Sequence, residues 1–140
     1  MDAKYTAEAL SRGEGRDGHV RTADGTLDLA MAAPTELGGS GAGANPEQLF
    51  AAGYAACFHS ALKGVAGTEK ADVADSTVGS RVSIGDDGEG GFRLAAQLEV
   101  VIPNLPREQS QSLADAAHQV CPYSNATRGN IEVTVTVSNE

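Results

Sequence analysis

Apolar residues recur at every second position from Phe92 through Leu94, Ala96, Leu98 and Val100 to Ile102, a strict alternation over eleven residues. Period two marks a strand with one buried face, because successive side chains point to opposite sides of a sheet. Val78, Val82 and Ile84 share one face of a preceding strand, joined to it by the glycine-rich turn Gly85–Gly91. Near the end of the chain Ile131, Val133, Val135 and Val137 alternate with Glu132, Thr134 and Thr136. Toward the start, residues 3–10 predict a strand, and the arms His19–Ala23 and Thr26–Met31 flank Asp24-Gly25. That pair favours a tight hairpin turn in which both central residues take positive φ.

Two segments have helical spacing instead. Asn45-Pro46-Glu47-Gln48 is a helix start: Asn45 as N-cap, Pro46 at the first helical position, and Gln48 as capping-box partner. The run Leu49 to Val65 that follows is rich in alanine and nearly apolar all round, which predicts a central, buried helix ended by Gly64 and Gly67. Pro103 and Pro106 introduce a second helix with an apolar stripe at Leu113, Ala116, Ala117 and Val120, stopped by Pro122. The order βββ-α-ββ-α-β predicts an α+β fold with antiparallel sheets around the long helix.

Length and charge narrow the function. A chain of 140 residues suits a single domain over 1–140. Nineteen acidic residues against ten basic ones give a net charge of -9 with no Lys/Arg cluster, which disfavours nucleic acid and membrane surfaces as partners. No apolar run reaches the ~20 residues of a spanning helix, and the first residues lack the pattern of a signal peptide. A cytoplasmic location is expected, where stable disulfides are rare. The 17 glycines mark turns, and Gly38–Gly43 reads as the most flexible loop.

The two cysteines are the main candidates for chemistry. Cys57 lies on the long helix with Gly53, Tyr54 and Ala61 as helical neighbours, small enough to leave room for a ligand or another chain. Cys121 lies at the end of the second helix, before Pro122 and a polar loop, where a side chain can move. A buried, inert thiol is the common case for a cysteine such as Cys57 taken alone. A zinc set of Cys57, His59, His118 and Cys121 is weakened because residues two apart on a helix point about 200° apart. A Cys57–His118 hydrolytic pair lacks any visible oxyanion hole. A fixed attacking thiol served by a second, mobile one fits the placement, as does a redox sensor or ligand-binding module that uses the same two groups without turnover.

Asn45-Pro-Glu-Gln-Leu-Phe-Ala-Ala-Gly-Tyr-Ala-Ala-Cys57-Phe resembles the first cysteine motif of the organic hydroperoxide resistance (Ohr) family, within the OsmC/Ohr superfamily. Cys121-Pro-Tyr-Ser-Asn-Ala-Thr-Arg-Gly-Asn-Ile-Glu-Val is similar to its second, and Gly15-Arg16-Asp17-Gly18 and Leu37-Gly38-Gly39 match its early glycine-rich segments. The resemblance spans essentially the whole chain. It implies an intertwined homodimer and a thiol-dependent peroxidase acting on organic hydroperoxides, with no resident cofactor or metal. Cys57 is then the peroxidatic thiol and Cys121 the resolving one, joined as a disulfide during turnover. Dihydrolipoyl groups on lipoylated proteins, or dihydrolipoamide, are the implied reductant. Arg16 and Glu47 match the family's charged pair around the reactive thiol, whereas His59 falls at a variable position and is assigned no role.

Physical chemistry adds three expectations. A free thiol of pKa near 8.5 is only a few per cent thiolate at neutral pH, and a guanidinium beside it favours the charged form. Glu47 precedes Cys57 by ten residues, about 15 Å of helical rise, so the two touch only if the helix breaks or Glu47 comes from a second chain. Leu49, Phe50, Tyr54 and Phe58 are expected to face the thiol as an apolar pocket, selecting alkyl, aryl or fatty-acyl hydroperoxides over hydrogen peroxide.

Overall fold

The structure, a computed structural model, describes residues 1–138. Its residues group into two compact units, the first ending at Leu49 and the second beginning at Phe50.

In the first unit β1 (Ala9–Arg12), β2 (His19–Thr22) and β3 (Asp28–Ala30) form an antiparallel sheet in that order. The first strand is shorter than the 3–10 alternation predicts, because pairing stops with Ala9 opposite Thr22, at the end of β2. The β2–β3 connection is also looser than a two-residue turn. Thr22 N–H reaches Leu27 C=O across four residues, and only Gly25 takes positive φ, at 76°. Asp24 instead turns its carboxylate onto the Thr22 hydroxyl and the Thr26 N–H, an Asx-type turn that replaces the left-handed pair. The Gly38–Gly43 segment is pinned rather than slack: Gly39 N–H bonds Pro34 C=O, Gly41 N–H bonds Ala33 C=O, and Ala44 N–H bonds Ala30 C=O.

Helix α1 (Pro46–Glu69) begins where Asn45 and Gln48 predict. Gln48 N–H donates to Asn45 Oδ1 at 2.8 Å and Asn45 N–H donates to Gln48 Oε1 at 3.1 Å, a reciprocal capping box. The helix does not end at Gly64 or Gly67 but runs through both to Glu69. Its stop is a Schellman motif: Ala71 N–H bonds Ala66 C=O, Lys70 N–H bonds Gly67 C=O, and Lys70 occupies the left-handed position at φ 55°. Nor is the helix buried all round. Tyr54, Phe58, Leu62 and Ala66, four residues apart, form one buried stripe, while Ala52, Ala56, Ser60 and Gly64 are exposed.

In the second unit β4 (Thr77–Asp86) and β5 (Phe92–Val101) pair antiparallel, and β6 (Glu132–Ser138) joins β5 on its other side. That last pairing is parallel, unlike the antiparallel expectation, because the chain returns from the end of β5 through helices before β6 starts. The inward alternation of Ala96, Leu98, Val100 and Val137 meets the buried stripe of α1 and the face of α2 (Arg107–Val120) in one core. The buried face of α2 is Ser110, Leu113, Ala114 and Ala117, rotated from the expected stripe, so that Val120 is exposed. Pro122 stops α2 as expected, since Cys121 before it is extended at ψ 124°. It opens a third helix, α3 (Pro122–Thr127), in place of the expected polar loop, using the first-turn position where a missing N–H costs nothing.

Asn45→Ala removes an acceptor that Gln48 N–H uses, and should cost about 1 kcal/mol of stability. The urea midpoint should fall accordingly, with unchanged slope.

Candidate active site

Two charged side chains meet in the first unit. Arg16 stands on a single 3-10 turn, Gly15–Asp17, between β1 and β2, and Glu47 lies in the first turn of α1. Arg16 Nη1 donates to Glu47 Oε2 at 2.9 Å and Nη2 donates to Oε1 at 2.7 Å. This is the bidentate fork that a planar guanidinium makes with a carboxylate, and it fixes the plane of the arginine as well as its position. Arg16 hydrogen bonds hold the Glu47 carboxyl below the usual carboxylate range against the opposing effect of burial, and Glu47 in turn raises Arg16. The Glu47 side chain is 13% exposed and that of Arg16 41%, so the carboxylate is consumed inside the pair while the guanidinium keeps a free edge.

The second unit brings the two cysteines together. Cys57 Sγ and Cys121 Sγ are 3.6 Å apart, both as free thiols. Cys57 is half-buried and opens into a cavity of about 460 Å³ lined by Ser60, Ala61, Gly64, Val65, Val120 and Pro122 among others. Cys121 is completely buried, which differs from the expected mobile side chain at a helix end. Its backbone accounts for this. Cys121 N–H bonds Ala117 C=O to close α2, and Cys121 C=O accepts from Asn125 N–H to open α3. One residue thus caps two helices, and its side chain points into their shared core.

The surroundings of Cys57 do not by themselves activate it. Burial pushes its thiol pKa up, the Tyr123 N–H hydrogen bond pulls it down, and the neighbouring Cys121 thiol pushes it up again, for a net rise. That direction is opposite to what an attacking thiolate needs.

The predicted pocket residues separate. Tyr54 and Phe58 are fully buried core residues, and neither they nor Phe50 line the cavity at Cys57. Phe50 is half-buried and stacks on Tyr54 with ring centres 5.9 Å apart. Leu49 is half-buried in the first unit. The four side chains weighed as a zinc set do not gather. His59 Nε2 bonds the Ser76 hydroxyl, His118 Nδ1 bonds the Ser124 hydroxyl, and no group of three His, Cys, Asp or Glu side chains arranged for a metal occurs among the described residues.

Tyr123 is the neighbour that sequence reasoning missed. Its N–H reaches Cys57, and its ring lies over α1 within 5.7 Å of the Tyr54 ring and 6.0 Å of Phe50. Gly53, one turn before Cys57, allows this approach: a Cβ there would stand 2.9 Å from the Tyr123 hydroxyl. The available signal was Pro122, which as a first-turn residue would have turned the polar loop into a helix and placed Tyr123 on it.

Comparison with known proteins follows the same lines. Residues 38–136 match the family described as OsmC-like protein. The organic hydroperoxide resistance protein of Xanthomonas axonopodis pv. citri is 49% identical over 136 residues, which is 96% of this chain and 94% of that protein. Among solved structures, an organic hydroperoxide resistance protein OsmC from Legionella pneumophila superposes with a TM-score of 0.93 at 50% identity, covering 98% of this chain and 99% of its own. A further one from Vibrio cholerae, described as putative and as holding captopril in one of its active sites, gives a TM-score of 0.91 at 48% identity, with 99% of this chain and 94% of that chain covered.

Because the Glu47 pKa is lowered in the folded protein, its contribution to stability is fully present above the ordinary glutamate value of about 4.3 and is lost as pH falls through the lowered one. The stability gap between the wild type and Glu47→Gln should therefore be constant near neutrality and close in acid, as read by denaturation at a series of pH values.

Proposed function

Because the chain belongs to the OsmC family, in its organic hydroperoxide resistance branch, we propose that it is a thiol peroxidase that reduces organic hydroperoxides to alcohols and so defends against oxidative stress. The observation that carries this reading is the pair of sulfurs at 3.6 Å, one opening to a cavity and the other buried behind it. The Cys57 thiolate attacks the distal oxygen of the hydroperoxide. The O–O bond breaks, the alkoxide takes up a proton and leaves as the alcohol, and Cys57 becomes a sulfenic acid. The Cys121 thiol then displaces water from that sulfenic acid to form the disulfide. A dihydrolipoyl dithiol, free or on a lipoylated protein, reduces the disulfide by exchange and is itself oxidised to the cyclic disulfide.

The first step needs positive charge, since burial and the second thiol both disfavour the Cys57 thiolate. We assign that charge to the Arg16–Glu47 fork, in which the carboxylate fixes the guanidinium and leaves it a free edge to offer a thiolate. Because α1 is unbroken, Glu47 and Cys57 of one chain stand far apart along it, so Arg16 must bridge, and we assign the meeting of the ion pair with the thiol to a homodimer. Two uncovered surfaces support a homodimer. The exposed face of α1 carries the small residues Ala52, Ala56, Ser60 and Gly64, and β1 is exposed along its length with Leu10 at 56%. A three-stranded sheet so poorly covered calls for a partner.

Substrate class follows from the apolar part of the cavity wall, Ala61, Val65, Val120 and Pro122. Burying an alkyl or aryl group there is worth roughly 25 cal/mol per Å². Hydrogen peroxide has no such group to bury. A site that admits captopril in the Vibrio cholerae relative supports one that admits an organic group here.

Steady-state consumption of cumene hydroperoxide with dihydrolipoamide tests the proposal. Cys57→Ser should be inactive, and Cys121→Ser should react once and then over-oxidise. Arg16→Ala should move the pH midpoint for alkylation of Cys57 upward by about one to three pH units. Full turnover by Cys57→Ser, or a wild type that loses its thiols to the peroxide but does not cycle, would overturn it, the second result marking a redox sensor.

A further inference from the structure

Four polar side chains behind the thiol pair take no part in the chemistry above. Ser124 Oγ is fully buried and lies 2.9 Å from Tyr54 Oη and 2.7 Å from His118 Nδ1. Tyr54 Oη is also 3.1 Å from Thr127 Oγ1, which is itself buried and donates back to Ser124 C=O at 3.2 Å. The chain of contacts runs from α2 (His118) through α3 (Ser124, Thr127) to α1 (Tyr54). Tyr54 lies one turn before Cys57, His118 one turn before Cys121, and Ser124 one turn after it. Arg128 adds a further tie from the end of α3 to the His118 carbonyl, at 2.6 Å.

We infer that this hydroxyl–imidazole network positions the resolving thiol: it ties α3 to α1 and α2, and so holds Cys121 Sγ at attack distance from Cys57 Sγ. The inference rests on the reading of the two cysteines as a resolving pair. A helix of six residues has little stability of its own, since an isolated helix needs about 12–15 residues. Beyond the Tyr123 ring, which packs on Tyr54 and Phe50, few apolar anchors serve α3, whose buried residues are the polar Ser124 and Thr127. Its position therefore depends on hydrogen bonds that are satisfied only in one arrangement, and a buried network of this kind tolerates little displacement before its groups are left unpaired. Disulfide formation needs Cα atoms within about 7 Å and correctly aimed Cβ bonds, so small shifts of the α2–α3 corner translate into large losses of rate. Tyr54, Ser124, Thr127 and His118 act through Cys121 and are positioning residues.

The test uses the full-length protein and two readouts. In the first, the dithiol is equilibrated with oxidised and reduced dithiothreitol. The two cysteine thiols are oxidised to the Cys57–Cys121 disulfide while the cyclic dithiothreitol disulfide is reduced, and the equilibrium constant gives the effective concentration of one thiol at the other. In the second, one equivalent of cumene hydroperoxide is added, and sulfenic acid and disulfide are followed with a sulfenic-acid trap. Ser124→Ala and Thr127→Val should each lower the effective concentration about tenfold. Each should also slow disulfide formation relative to sulfenic-acid formation by a similar factor, with more trapped sulfenic acid. Val100→Ala, a cavity-forming change at a fully buried β5 position outside the network, serves as the control for destabilisation alone and should leave both ratios unchanged. Unchanged ratios in Ser124→Ala and Thr127→Val, or an equal fall in Val100→Ala, would overturn the inference. If Ser124→Ala fails to fold, Thr127→Val decides. The dithiothreitol equilibrium contains no peroxide, so failure of the peroxidase reading shows only in the second readout of the wild type, while the first still decides whether the network positions the thiols.

Discussion

A disulfide forms only between cysteines whose backbones already stand within a few ångströms and whose Cβ bonds converge, and Cys57 and Cys121 start on different helices separated by most of the second unit. Their sulfurs are nevertheless 3.6 Å apart. The core brings the two helices side by side, and the contacts of α3 complete the placement of Cys121. The stripe of Tyr54, Phe58 and Leu62 seats α1 against the inner faces of β5 and β6, Leu113, Ala114 and Ala117 seat α2 beside it, and the cap shared by α2 and α3 fixes where Cys121 turns inward. Cys57 opens to a cavity while Cys121 beside it stays dry. In the proposed reaction, a resolving thiol kept from solvent is protected from oxidants that have not first reacted at Cys57.

The same burial creates an electrostatic difficulty. Packing a thiol beside another thiol in a partly apolar wall raises its pKa, and one backbone N–H from Tyr123 does not reverse that. An arginine already neutralised by an exposed carboxylate would help little, but the Arg16–Glu47 fork hides its carboxylate and leaves part of the guanidinium free. In a chain of net charge -9 the placement of one cation therefore matters more than the total. In the proposed reaction, geometry and charge fall to separate parts of the molecule, the thiol pair to the second unit and the ion pair to the first.

What could be read from the sequence was local or periodic. The capping box of Asn45 and Gln48 spans four residues, and the alternation of β5 is a property of consecutive positions, so both were legible. The motifs around the two cysteines were long enough to point to a family. The misreadings occurred where one residue type serves two purposes. Pro122 was a stop for α2 and also the first residue of α3, and Gly64 and Gly67 were tolerated inside a helix that a left-handed Lys70 closes, a position that composition does not announce. Tyr54 and Phe58 were read as pocket because they neighbour Cys57 in sequence. Helical periodicity instead turns them into the core, about 60° and about 100° around the helix from Cys57. The parallel pairing of β6 and the network at Ser124 depend on contacts between distant segments, for which no local pattern exists.

If Cys57 and Cys121 form one preassembled redox pair, one equivalent of cumene hydroperoxide should give one equivalent of cumyl alcohol, and mass spectrometry of the intact and digested protein should show loss of two hydrogen atoms per chain and a single peptide pair joined through Cys57 and Cys121. Retention of an added oxygen on Cys57 with Cys121 still reduced, or a disulfide between chains instead of within one, would contradict it.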